Sequence, residues 1–72
     1  MTREADITIP AHDRLVREKE RQLLTSISRS QAWKLEQVGL FPKRRKLSPR
    51  GNTVVWLLSE LNEWIASREQ VK

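Results

Sequence analysis

The 72-residue sequence predicts a mainly α-helical domain with a small β-hairpin, and three observations carry that expectation. Two stretches of helical period are separated only by Ser26 and Ile27, the turn-rich tetrapeptide Pro49-Arg50-Gly51-Asn52 divides two apolar runs, and a third helical stripe closes the chain. A chain of this length is one domain at most. It buries only about 60% of its unfolded surface, so its core is thin.

Residues 1–12 (MTREADITIPAH) have no helical period and contain Pro10. They are expected to form a mobile tail, with a short edge strand through the alternating Ile7 and Ile9 as the other option. The first helix is expected from Asp13 onward. There Leu15 and Val16 lead into REKERQLLTS, a run of strong helix formers with Glu18 and Glu20 at the front, where the helix dipole favours acids. Leu23, Leu24 and Ile27 are its expected inner face, and its charged front half is expected to face solvent.

The second helix is expected over Ser28–Val38. Ser28-Arg29-Ser30-Gln31 has the spacing of a capping box, in which the serine accepts from a free N–H and the glutamine reaches back. Ala32, Leu35 and Val38 form the inner stripe with Trp33 beside them, and Gly39 stands where a left-handed stop is expected. The short connection to the first helix matches a helix-turn-helix. Phe41-Pro42 closes that unit. KRRKLS, PRGN and TVVWLL then read as a hairpin, with Val54 and Trp56 on one face of the second strand and Thr53 and Val55 on the other. Ser59 is expected to cap the last helix, with Glu60 in its first turn and Leu61, Trp64 and Ile65 as its buried stripe. The domain is expected to span residues 13–69, with 70–72 a short C-terminal tail.

The net charge is +5, from 14 Lys and Arg against 9 Asp and Glu, and it is not evenly spread. Between Ser28 and Asn52 stand Arg29, Lys34, Lys43, Arg44, Arg45, Lys46 and Arg50 with the single acid Glu36, so this third of the chain holds the whole excess. A concentrated basic segment is the electrostatic footprint of a polyanion partner. The second helix carries Arg29, Ser30, Gln31, Lys34 and Gln37 away from its stripe. Arginine pairs bidentately with guanine and glutamine with adenine, and the first turn of such a helix approaches bases most closely. The same pattern also describes an ordinary solvated helix face with a good N-cap.

In the hairpin, alternation allows at most half of Lys43, Arg44, Arg45 and Lys46 to meet one groove at once, leaving flanking phosphates to the others. Protection of an edge strand by charge is the alternative use. Four successive cations plus Arg50 exceed that need. Arg50 and Asn52 at the tip suit a narrow minor groove. Trp56 and Trp64 fall on core phases. Trp33 lies at the edge of its stripe, with core the expected role and an indole N–H on phosphate the other.

Cysteine is absent, which excludes disulfides and Cys-based zinc sites, and His12 stands alone without a second ligand at metal spacing. No serine has a base arranged to activate it. Neither catalysis, a cofactor nor a small-molecule ligand is therefore expected. No apolar run approaches the ~20 residues of a membrane span, and a soluble, cytoplasmic protein is expected.

Three blocks give the chain a family likeness: Ser28-Arg29-Ser30 with Trp33 and Leu35, then Gly39-Leu40-Phe41-Pro42, then Val54-x-Trp56 with Ser59-Glu60-Leu61 and Trp64-Ile65. From Arg14 to Arg68 it resembles the AlpA-like prophage regulators, small winged helix-turn-helix proteins related to phage excisionases and to the DNA-binding part of the MerR group. The resemblance implies Ser28–Val38 as recognition helix and Lys43–Trp56 as wing. It also implies double-stranded DNA as partner, with an integrase and neighbouring copies of the chain as further partners. The implied role is transcriptional regulation or, alternatively, excision, in which the protein bends an attachment site for the integrase. From the residues alone, an adaptor docking an acidic protein patch and non-specific RNA binding stay open. The chain departs from the family at Glu18 and Arg21, where apolar residues are usual, at Ser26, where glycine is usual, and in its four successive wing cations. Arg21 is accordingly expected to snorkel to water. Ser26 in a left-handed turn is expected to cost about 1 kcal/mol.

Deleting residues 1–12 is expected to leave helical content and melting temperature nearly unchanged. Circular dichroism melts of the full and shortened chains check this; a marked loss of cooperativity would show that Ile7 and Ile9 pack as a strand.

Overall fold

The computed structural model describes residues 13–71. The expected N-terminal tail, with its Ile7–Ile9 strand option, lies outside them. The elements run β1 (Leu15–Arg17), α1 (Glu18–Thr25), α2 (Arg29–Gln37), β2 (Arg45–Lys46), β3 (Val54–Leu57) and α3 (Leu58–Ala66). The mainly α domain with its hairpin is present, and it gains a strand. Leu15 and Val16 are not the lead-in of a helix: β1 pairs antiparallel with β3, giving a three-stranded sheet in the order β1-β3-β2. Val16 opposes Trp56 on the face turned to the core, whereas Val55 on the other face has Arg17 and Arg45 as its cross-strand neighbours.

This pairing also decides how α3 begins. Continuing the β1–β3 register brings Arg14 and Asp13 beside Leu58 and Ser59. The Arg14 carbonyl accepts from the Leu58 N–H at 2.9 Å. The Asp13 carboxylate accepts from the Ser59 N–H at 2.9 Å and from the Ser59 hydroxyl at 2.8 Å. Ser59 is therefore not the cap it was expected to be. It is the capped residue, and the acceptor comes from 46 positions upstream.

Both turns around α2 use left-handed residues. Ser26 ends α1 at φ 60° and ψ 22°, with its N–H on the Gln22 carbonyl at 2.8 Å. Gly39 ends α2 at φ 76°. The Gly39 and Leu40 N–H groups reach the Glu36 and Leu35 carbonyls at 3.0 and 2.8 Å, which is the paired bonding of a Schellman stop. At the other end of α2 the Ser28 hydroxyl accepts from the Gln31 N–H at 3.2 Å, as expected of the cap.

The core gathers Val16, Ala32, Phe41, Trp56 and Leu61, with Ile27, Leu35, Val54, Leu58 and Trp64 packed against it. Several expected core positions are not there. Leu23 is 78% exposed and Leu24 is exposed as well, so α1 does not turn its leucines inward. Val38 is 66% exposed because it is the last residue before the stop, where the chain leaves the helical stripe. Ile65 is exposed at the end of α3, beyond Leu61 and Trp64.

The residue that α1 does bury is Arg21, at 0% exposure. It does not snorkel to water. Its guanidinium lies 5.3 Å from the ring centre of Trp56 and 5.8 Å from that of Phe41, close enough for cation–π attraction to both. It donates to the Glu18 carboxylate, to the Thr25 hydroxyl at 3.3 Å and to the Ile27 carbonyl at 2.5 Å. Its Nε has no hydrogen-bond partner among the described residues. The indole N–H groups pin the following segment: Trp64 donates to the Leu40 carbonyl at 2.7 Å and Trp56 to the Pro42 carbonyl at 3.2 Å. Phe41 between them meets Trp64 edge-on at 4.8 Å.

Two stability predictions follow from these contacts. Arg21→Ala removes the body that fills the aromatic slot, orphans the Ile27 carbonyl and unpairs Glu18, a loss of about 3–5 kcal/mol. Arg21→Met keeps most of the volume and loses about 1–2 kcal/mol, mainly through the unsatisfied carbonyl. Urea denaturation followed by tryptophan fluorescence should rank wild type, Met and Ala in that order. The second concerns acid. The Ser59 backbone N–H above all, helped by the Ser59 hydroxyl, the Arg14 N–H and the Arg45 charge, holds the Asp13 carboxyl below its ordinary value of 3.8. A depressed carboxyl contributes stability that is full above the unfolded value and lost as pH falls through the folded one. Asp13→Asn should therefore melt lower than wild type at neutral pH, and the gap should close as the pH drops below 3.8.

Candidate nucleic-acid interface

The N-terminal turn of α2 and the hairpin face each other across a cleft lined by Ser28, Arg29, Ser30, Ala32, Trp33, Glu36, Arg44 and Trp56. Five of the residues singled out from sequence meet there: Ser28, Arg29, Ser30, Trp33 and Arg44. Ser28 holds the helix end, and its hydroxyl lies 3.4 Å from that of Ser30. Arg29 is the first residue of α2 and is exposed. Trp33 is 49% exposed and lines the cleft, so it is not the core residue it was expected to be. Ala32, one position back, takes the buried place that α2 offers.

Gln31, Lys34 and Gln37 are exposed on α2 but do not line this cleft. Gln31 lends its backbone N–H to Ser28, and no hydrogen bond from its side chain back to Ser28 is present. Lys34 and Gln37 lie further along the helix, away from its first turn.

The hairpin divides its cations. Arg44 sits toward α2, its Nε 3.6 Å from Glu36 Oε1, so this ion pair ties the wing to the helix. Arg45 turns the other way and donates to Glu60 at 2.8 Å. Lys43 joins it along a groove with Glu60 and Glu63 of α3 and Arg68 just beyond it. Lys46 is exposed, opposite Val54 in the strand pair. Arg50 and Asn52 are exposed at the hairpin tip. There the Leu47 N–H reaches the Thr53 carbonyl at 3.0 Å and the Gly51 N–H reaches that of Ser48 at 3.3 Å.

A second cleft adjoins the first and shares Arg29 and Arg44 with it. Its other lining residues are Arg17, Glu18, Lys19, Thr53 and Val54. Arg17 and Lys19 stand outside the basic segment visible in sequence, and only the β1–β3 pairing brings them to it. Arg21 was missed as well. Its one sequence signal is its place between Glu18 and Thr25 at helical spacing, three and four residues away.

A helix-turn-helix whose second helix is capped by Ser28, followed by a hairpin packed beside it, is a winged helix-turn-helix. The chain belongs to the family of the prophage CP4-57 regulatory protein (AlpA), whose model matches residues 14–69. No curated protein and no solved structure matches it. The family is one of prophage regulatory proteins, in accord with the resemblance carried by the three sequence blocks. Among the described residues no helix is long and apolar enough to cross a membrane.

Proposed function

We propose that the chain is a non-catalytic, sequence-reading binder of double-stranded DNA that regulates a prophage or related mobile element. In this reading α2 enters the major groove and the wing lies on phosphates, with Arg50 and Asn52 near the minor groove. The observation that carries it is the convergence of Arg29, Arg44, Ser28, Ser30 and Trp33 on one cleft at the N-terminal turn of α2. That turn is where a recognition helix meets base edges. Membership of a prophage regulatory family supports the same conclusion. An adaptor that docked an acidic protein would need the cations but not the helix end.

Regulation and excision use the same contacts, and the bound site separates them: an integrase promoter for a regulator, an attachment site for an excisionase. Sites selected from a random duplex pool supply the cognate sequence. On it, Arg29→Ala is expected to lose about 1–3 kcal/mol of binding and much less on scrambled duplex. Lys46→Ala is expected to weaken both alike and to flatten the salt dependence by about one contact. Fluorescence anisotropy with both duplexes at two salt concentrations makes the comparison. Equal losses for Arg29→Ala on the two duplexes would reduce α2 to a backbone anchor.

A further inference from the structure

We infer that the cleft between the β1–α1 junction and the wing is a second phosphodiester-binding site, in which Arg17 and Lys19 join Arg29 and Arg44 on the DNA backbone. The inference rests on the DNA-binding reading and extends it to two residues outside both the recognition helix and the wing.

Four cations line this cleft: Arg17 from β1, Lys19 from α1, Arg29 from α2 and Arg44 from the segment entering β2. The one acid among them, Glu18, does not face them as an open charge. Its carboxylate accepts from the buried Arg21 guanidinium and from the Gln22 side-chain amide at 2.7 Å. The Arg21 charge thus offsets the carboxylate that would otherwise cancel part of the cleft. Arg17, Lys19 and Arg29 have no ion pair among the described residues, and all three are exposed.

Like charges gathered round one cleft repel one another and gain from a shared polyanion. A phosphodiester chain is an occupant whose charge matches and whose oxygens suit guanidinium and ammonium donors. The cleft shares Arg29 and Arg44 with the one at the helix end, so a strand leaving the recognition helix passes directly onto Arg17 and Lys19. These two are too far from the first turn of α2 in the chain to be read as part of the motif, and their position on β1 and the start of α1 suits holding rather than reading.

The test compares Lys19→Gln, Arg17→Gln and the double variant with Arg68→Gln, which removes one charge just beyond α3, where Arg68 lies over Trp64 at 4.1 Å. Affinity for a mixed-sequence DNA duplex is measured by anisotropy between about 50 and 200 mM salt, and folding by circular dichroism. Each cleft variant should flatten the slope of log K against log salt by about 0.9, and the double variant by about twice that, while Arg68→Gln leaves it unchanged. Cognate and scrambled duplexes should lose equally. An equal change in slope for Lys19→Gln and Arg68→Gln would overturn the inference, leaving only net charge. An unchanged slope in a folded Lys19→Gln would overturn it too. A wild type whose binding is weak and salt-independent would instead overturn the DNA-binding reading itself. Lys19 is exposed and unpaired to the sheet, so its variant remains informative even if Arg17→Gln perturbs β1.

Discussion

The Arg21 guanidinium holds the domain together. It sits between Trp56 of the sheet and Phe41 of the segment after α2, and it donates to the Ile27 carbonyl in the turn between the two helices. One side chain therefore touches the first helix, the turn, the closing segment and the sheet. A fully buried charge is costly unless paired, and Glu18 from the preceding turn supplies the pair. In a chain too short for a large apolar core, this ionic and aromatic centre replaces the leucine packing that α1 does not provide, with Leu23 and Leu24 left in solvent. Through the Ile27 carbonyl it ties α1 to the turn from which α2, headed by Arg29, sets out.

Charge distribution follows from the same geometry. Glu18 is drawn inward by Arg21, Glu36 is held against Arg44, and Glu60 against Arg45. Three acids near the basic segment are thus each committed to a cation. Exposed pairs of this kind stabilise little, and their value here is positional: Arg44 is tethered toward α2 and Arg45 toward α3. The wing presents different residues to its two sides, as strand alternation requires. Lys46, Arg50 and Asn52 complete the exposed set on the hairpin.

The helices and the hairpin were legible because their signals are local. Ser28 with Gln31 three residues on marks the helix start, Gly39 marks its stop, and Pro49-Arg50-Gly51-Asn52 marks the turn. What sequence did not show has partners distant in the chain. Strand β1 is three residues long, too short for a readable period, and its partner β3 lies some forty positions away. The cap of α3 is Asp13 rather than Ser59 for the same reason, since the β1–β3 register alone brings it there. Arg21 reads as a surface residue by type, because arginine is almost never fully buried without a partner. Its aromatic neighbours lie twenty and thirty-five residues downstream. The candidate surface was half legible: Ser28, Arg29 and Ser30 come together as their spacing suggests, Trp33 turns out toward the cleft, and Arg17 and Lys19 become visible only in three dimensions.

In the proposed function the Arg21-centred core presents one continuous face, made of the start of α2, the wing and the β1–α1 junction, to duplex DNA. Titrating the isotopically labelled full chain with duplex and following every backbone amide by NMR shows whether it does. The largest shifts are expected at Arg17–Lys19, Ser28–Lys34, Arg44 and Lys46–Thr53, with Glu63–Arg68, the last turn of α3 and the residues after it, barely moving. Shifts concentrated on α3 and its groove with Lys43 and Arg45, with the Ser28–Lys34 amides unmoved, would contradict it.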